Sequence, residues 1–102
     1  MKNKIVLITG ATSGIGWATA LEFKKAGAKL ILCGRRKERL ELLDNKLGGE
    51  QKLLNFDVRN KNDVFKSFES LPQNWKDIDL LINNAGNAHG LDPVQSASLE
   101  DW

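Results

Sequence analysis

Thr9-Gly10-Ala11-Thr12-Ser13-Gly14-Ile15-Gly16 separates the apolar run Ile5 to Ile8 from a helical pattern that begins near Ile15. A strand that enters a helix through such a loop aims backbone N–H groups and the positive end of the helix dipole at one point, which suits a dianionic pyrophosphate. Gly10 allows the tight turn out of the strand, Gly14 lets a ligand approach the backbone with no Cβ in the way, and Gly16 lets the helix lie close on the sheet. Thr12 and Ser13 add hydroxyl donors. The spacing is G-x-x-x-G-x-G rather than the G-x-G-x-x-G of the general dinucleotide fingerprint, so the loop gains its meaning from its neighbours.

Working outward, Lys4 to Thr9 is continuously apolar rather than alternating, as in a strand covered on both faces. A helix is expected from about Gly14 to Ala26, with Ile15, Ala18 and Leu21 on one face and Gly27 as its stop. Lys29 to Cys33 is a second strand ending in Gly34-Arg35-Arg36. A second helix, about Lys37 to Leu47, turns Leu40, Leu43 and Leu47 toward the sheet. Gln51 to Phe56 offers a third strand, followed by Asp57-Val58-Arg59. Asn60, with Asp63 three residues later, then caps a third helix whose apolar positions are Val64, Phe68 and Leu71 and which Pro72 ends. Ile78 to Asn83 is a fourth strand, delivering Asn83-Asn84-Ala85-Gly86. Asn87 to Ala97 reads as a polar loop, and Ser98 to Trp102 as the start of a further helix.

This βαβαβαβ pattern predicts a single α/β domain over residues 1–102: a doubly wound parallel sheet in the order 3-2-1-4, with helices on both faces. The outer edge of the fourth strand is expected to be unpaired, an invitation to self-association. Ligands of such sheets bind beyond the strand C-termini. Those ends carry Gly10 to Gly16, Gly34 to Arg36, Asp57-Val58 and Asn83 to Gly86, so the notable residues converge on one crevice.

Composition narrows the partners. Of 102 residues, 41% are hydrophobic and 27% charged, an ordinary globular balance. Residues 1–52 hold 11 Lys/Arg against 5 Asp/Glu, and residues 53–102 hold 4 against 8, so the basic half contains the glycine loop. That suits a phosphorylated small molecule. Nucleic acid would call for a denser basic stripe with stacking aromatics, and tyrosine is absent. The apolar run Ile5 to Ile8 is too short for a signal core or a membrane span. The single cysteine, Cys33, fits a reducing compartment and a buried position, and the cytoplasm is the expected location. His89 is the only histidine, so no metal site built on several histidines is expected; Trp17, Trp75 and Trp102 read as packing residues.

With the Thr9–Gly16 loop, Asp57-Val58 and Asn83-Asn84-Ala85-Gly86 in place, the whole chain resembles the N-terminal part of a short-chain dehydrogenase/reductase. The stretches Leu71-Pro72, Trp75, Asn83 to Gly86, Gly90-Leu91-Asp92-Pro93 and Leu99 to Trp102 resemble more narrowly the NADP-dependent 3-hydroxy acid dehydrogenases of the serine and L-allo-threonine type. The resemblance implies a Rossmann fold and hydride transfer between a nicotinamide cofactor and a hydroxy acid or carbonyl substrate. It places Gly10, Ala11, Thr12, Ser13, Gly14, Ile15 and Gly16 at the pyrophosphate and adenosine side, Asp57 and Val58 at the adenine, and Asn84, Ala85 and Gly86 at the nicotinamide-side ribose. A homo-oligomer is also expected.

The end of the second strand bears on the choice of cofactor. An NAD site places a carboxylate there for the ribose 2′-OH, whereas an NADP site places arginine for the 2′-phosphate. Here Gly34 leaves space, and Arg35 and Arg36 supply charge-assisted bonds, which points to NADP rather than NAD. The plainer alternative is a solvated basic surface at a helix start. Asp57 likewise has a plainer role, closing the loop before the third helix.

The family's chemistry uses a tyrosine, a lysine, a serine and an asparagine that this stretch does not match, and no catalytic residue is assigned here. The chain alone is therefore expected to be inactive and to be a truncated cofactor-binding part of an enzyme. The alternative is a non-catalytic NADP-binding module or redox sensor.

Overall fold

Parallel strands form where apolar side chains can be covered on both faces, and this chain supplies four such runs with helices between them. The computed structural model describes residues 2–57, 59–84 and 96–97. In chain order the elements are β1 (Ile5–Thr9), α1 (Gly14–Lys25), β2 (Lys29–Gly34), α2 (Lys37–Leu47), β3 (Lys52–Asn55), α3 (Lys61–Glu69), a 3-10 turn (Gln73–Trp75), β4 (Leu80–Asn83) and β5 (Ser96–Ala97). The sheet runs β3-β2-β1-β4-β5. Its first four strands are parallel, with Leu7 opposite both Ile31 and Leu81 and Cys33 opposite Leu54.

Alternation along the strands sorts the core into two layers. Val6, Ile8, Leu30 and Leu32 meet Ala20 of α1 and Leu40 and Leu43 of α2 on one face. On the other, Ile5, Leu7, Ile31, Cys33, Leu54 and Leu81 meet Phe56, Leu71 and Trp75, with Val64 and Phe68 of α3 packed against them. The inward sets expected for α2 and α3 are therefore the ones observed. Asn60 caps α3 by accepting from the Asp63 N–H at 3.2 Å. Its own N–H goes to the Asp57 carbonyl oxygen at 2.9 Å.

The end of the sheet away from the strand C-termini is held by polar contacts. Gln51 is buried; it accepts from Lys24 of α1 at 2.5 Å and donates to Asp44 of α2 at 2.8 Å. Trp75 is only 3% exposed, and the ammonium groups of Lys29 and Lys52, which begin β2 and β3, lie 4.4 and 5.5 Å from its ring centre. Asp79 accepts from the Ile5 N–H through its carboxylate at 2.9 Å, joining the approach to β4 to the start of β1.

Two expectations are corrected. The inner face of α1 is Gly16 and Ala20, not Ile15, Ala18 and Leu21; Ile15 is 55% exposed. At Gly16 the helix lies so close to the Gly10 carbonyl oxygen that a Cβ does not fit, while the larger Trp17 and Phe23 pack partly buried against the same layer. The outer edge of β4, expected to be open, pairs with antiparallel β5: Leu81 lies opposite Ala97 and Ile82 opposite Ser96. Those two residues of β4 are therefore not an unpaired template for self-association. A two-residue strand is too short to leave a periodic signal, and so it reads as loop. The helix expected from Ser98, together with Trp102, His89 and residues 90–93, lies outside the described residues.

Candidate cofactor site

The strand C-termini form a rim, and the backbone of the Thr9–Gly16 loop determines its centre. Gly10 has φ 61°, a left-handed conformation that side chains with a Cβ adopt only under strain. A Cβ on Gly16 would overlap the Gly10 carbonyl oxygen and come within 3.0 Å of Ala11 Cα, so this glycine is required for α1 to dock. Gly14 differs from both. A Cβ there would meet nothing within 4 Å, so the protein's own packing does not demand glycine. This fits a cradle kept clear for a ligand.

Ser13 is the N-cap of α1. Its hydroxyl donates to the Gly10 carbonyl oxygen at 2.9 Å and accepts from the Gly16 N–H at 3.1 Å. The hydroxyl expected to donate to a ligand is thus committed to shaping the turn. The N–H groups of Gly14 and Ile15 belong to the first turn and have no acceptor within the helix, at the positive end of the helix dipole.

Hydrogen bonds join this loop to its neighbours. Ala11 N–H donates to the Cys33 carbonyl oxygen at 3.0 Å, and Asn84 N–H donates to the Thr9 carbonyl oxygen at 3.3 Å. Thr9 Oγ1 donates to Asn83 Oδ1 at 2.8 Å, linking the ends of β1 and β4 through side chains. The sequence pattern does not assign Thr9 this role, and its signal is a hydroxyl at one strand end beside an asparagine-rich one. The Gly34 carbonyl oxygen accepts from Phe56 N–H at 3.1 Å and from Asn55 Nδ2 at 2.9 Å. A Cβ on Gly34 would lie 3.3 Å from Leu40 Cδ2 and 3.7 Å from Thr12 Cγ2, so glycine serves helix packing here as well as the rim.

Arg35 and Arg36 are exposed beside that junction. Arg36 is the N-cap residue of α2 and makes no side-chain capping bond. Asp57 accepts from three groups of Arg59: the backbone N–H at 2.9 Å, Nη2 at 2.8 Å and Nε at 3.1 Å. The hydrogen bonds from Arg59 hold the Asp57 carboxyl down to about 2, and Arg35 adds a weaker through-space effect. Asp57 therefore closes the turn before α3. Arg59, its partner, has no role assigned from the sequence, where Asp-x-Arg at a turn is the signal. Cys33 is buried, and burial pushes its thiol well up, as suits a small core residue. The structure thus brings the loop, Arg35, Arg36, Asp57 and Asn84 to one rim, while Val58, Ala85 and Gly86 lie outside the described residues.

A strand-end rim with a glycine cradle at its centre is the arrangement of a dinucleotide-binding α/β protein. The chain belongs to the short chain dehydrogenase family, which it matches over residues 4–102. Among curated relatives, it is 49% identical over 98 residues to the NADP-dependent 3-hydroxy acid dehydrogenase YdfG of Salmonella typhi, covering 96% of this chain and 40% of that protein. It is 47% identical over 97 residues to the serine 3-dehydrogenase of Agrobacterium fabrum, covering 95% and 39%. Its structure is similar to that of serine dehydrogenase from Escherichia coli, with TM-score 0.72 and 43% identity over 76% of this chain and 36% of that one. A closed form of serine dehydrogenase complexed with NADP+ matches with the same score and identity over 76% and 31%. The chain thus spans about 40% of the length of the curated relatives it matches.

Proposed function

We propose that the protein is an NADP-dependent oxidoreductase that interconverts the hydroxyl of a 3-hydroxy acid and a carbonyl, and that residues 1–102 supply its cofactor-binding part. The observation that carries this is the pairing of a cradle clear at Gly14 with two exposed arginines one hydrogen bond away, at the Ala11–Cys33 junction. The names of the relatives support both the cofactor and the substrate class. They also favour an enzyme over a non-catalytic sensor.

In this reading Gly10 to Gly16 hold the pyrophosphate and adenosine side, with the Gly14 and Ile15 N–H groups turned to the anion. Arg35 and Arg36 hold the 2′-phosphate by charge-assisted bonds. Asp57 and Val58 border the adenine, and Asn84, Ala85 and Gly86 the nicotinamide-side ribose. Thr9 positions Asn83 and Asn84 by fixing the end of β4. The bound cofactor supplies hydride exchange. Proton exchange with the substrate oxygen needs the family's tyrosine, and these 102 residues contain none.

The proposal extends to a cytoplasmic protein and a homo-oligomer. Among the described residues no helix is long and apolar enough to cross a membrane. The activity test adds NADP+ and a 3-hydroxy acid such as serine to the full-length protein and to residues 1–102 alone. NADPH formation is expected from the first and not from the second. Turnover by the 102-residue chain would contradict the assignment of proton transfer to residues outside it.

A further inference from the structure

We infer that Arg59 is a specificity-determining residue: by holding the Asp57 carboxylate, it leaves Arg35 to the cofactor's 2′-phosphate. This rests on the reading that Arg35 and Arg36 hold that phosphate.

The ends of β2 and β3 are joined at Gly34, whose carbonyl oxygen accepts from Phe56 N–H and Asn55 Nδ2. Asp57 follows directly, so its carboxylate sits on the same rim as Arg35. A carboxylate there works against a 2′-phosphate in two ways. It repels the phosphate, and it draws the guanidinium of Arg35 toward itself. Arg59 counters both with a fork that grips the carboxylate, Nη2 at 2.8 Å from Oδ2 and Nε at 3.1 Å from Oδ1, while its backbone N–H holds Oδ1 at 2.9 Å. The planar guanidinium suits this two-pronged grip in a way an ammonium does not. The lowered titration of Asp57 has Arg59 as its main cause and Arg35 as a lesser one, which is the same division of charge. Both partners are partly or largely exposed, with side chains 32% and 77% accessible, so the pair contributes little to stability. Its consequence falls on the ligand.

The test measures the affinities of NADPH and NADH at low ionic strength for the protein and for three variants: Arg59→Ala, Arg59→Ala with Asp57→Asn, and Arg35→Ala with Arg36→Ala. Both cofactors carry the same adenine, so the ratio of affinities cancels any change in adenine contact. Arg59→Ala is expected to lower the preference for NADPH by about three- to tenfold, the scale of one uncompensated charge several ångströms away near a protein surface. Adding Asp57→Asn is expected to restore it, with the thermal midpoint unchanged throughout. If Arg59→Ala leaves the ratio alone while the Arg35/Arg36 variant lowers it, the inference fails and the cofactor reading stands. If the ratio falls but Asp57→Asn does not restore it, Arg59 acts on the phosphate directly and the inference is overturned. If the Arg35/Arg36 variant keeps its ratio, the cofactor reading itself fails, and the inference with it.

Discussion

The loop Thr9–Gly16 and the rim Gly34–Arg36 are joined by a hydrogen bond from Ala11 to Cys33, yet they are built on different terms. The loop is shaped by backbone: a left-handed Gly10, a Gly16 with no room for a Cβ, and a serine cap closed on the turn. Its donors point where the fold sends them. The rim is shaped by long exposed side chains, and its charge depends on which carboxylate pairs with which guanidinium. Shape is thus set by packing in one region and by charge balance in the other. Substitutions in the loop are expected to act on folding and on binding of any dinucleotide, and substitutions on the rim on the choice between dinucleotides.

The largest effect is expected at Gly16. Gly16→Val forces α1 off the sheet, and an overpacked contact of this kind costs about 1 to 3 kcal/mol or more, a large share of the stability of a domain this size. Thermal melting checks it: a midpoint near that of the unaltered protein would mean that α1 does not rest where the structure has it. Gly14→Val separates the loop's two duties, because its side chain enters open space. The fold is expected to persist with a nearly unchanged midpoint while NADPH binding is abolished. Retained binding would put the ligand elsewhere.

At the far end of the sheet, Gln51→Ala removes a buried amide that links Lys24 and Asp44. A loss of about 1 to 3 kcal/mol in denaturant unfolding is expected, with no change in cofactor preference. A changed preference would show that the rim is not independent of packing beneath it. The smallest effect concerns Asp57. Its carboxyl is held near 2 against an ordinary 3.8, so the stabilisation it brings is present above the ordinary value and is lost as pH falls through about 2. Observed by NMR, its titration should return toward the ordinary value in Arg59→Ala.

The same division explains what the sequence reveals. The first four strands and the helices are legible because each is an apolar run or a 3.6-residue stripe bounded by glycine, proline or a cap, and the order 3-2-1-4 is that of a doubly wound sheet of the Rossmann kind. The glycine loop is legible because backbone conformation demands glycine at Gly10 and close packing demands it at Gly16. The inner face of α1 is not legible by hydropathy: Ile15 is the more apolar residue but is exposed, whereas Ala20 is buried and the Gly10 carbonyl oxygen leaves room only for glycine at Gly16. β5 has too few residues to carry a period. Asp57 and Arg59 are visible as residues, but their pairing depends on a turn whose dihedral angles hydropathy does not record.

The central claim is that Arg35 and Arg36 complete a cradle for NADP, and the ratio of NADPH to NADH affinity tests it most directly. Loss of a charge-assisted contact costs about 1.5 to 3 kcal/mol, so replacing both arginines by alanine should lower the preference for NADPH by about tenfold or more. NADH affinity should hold. An unchanged ratio would contradict the account.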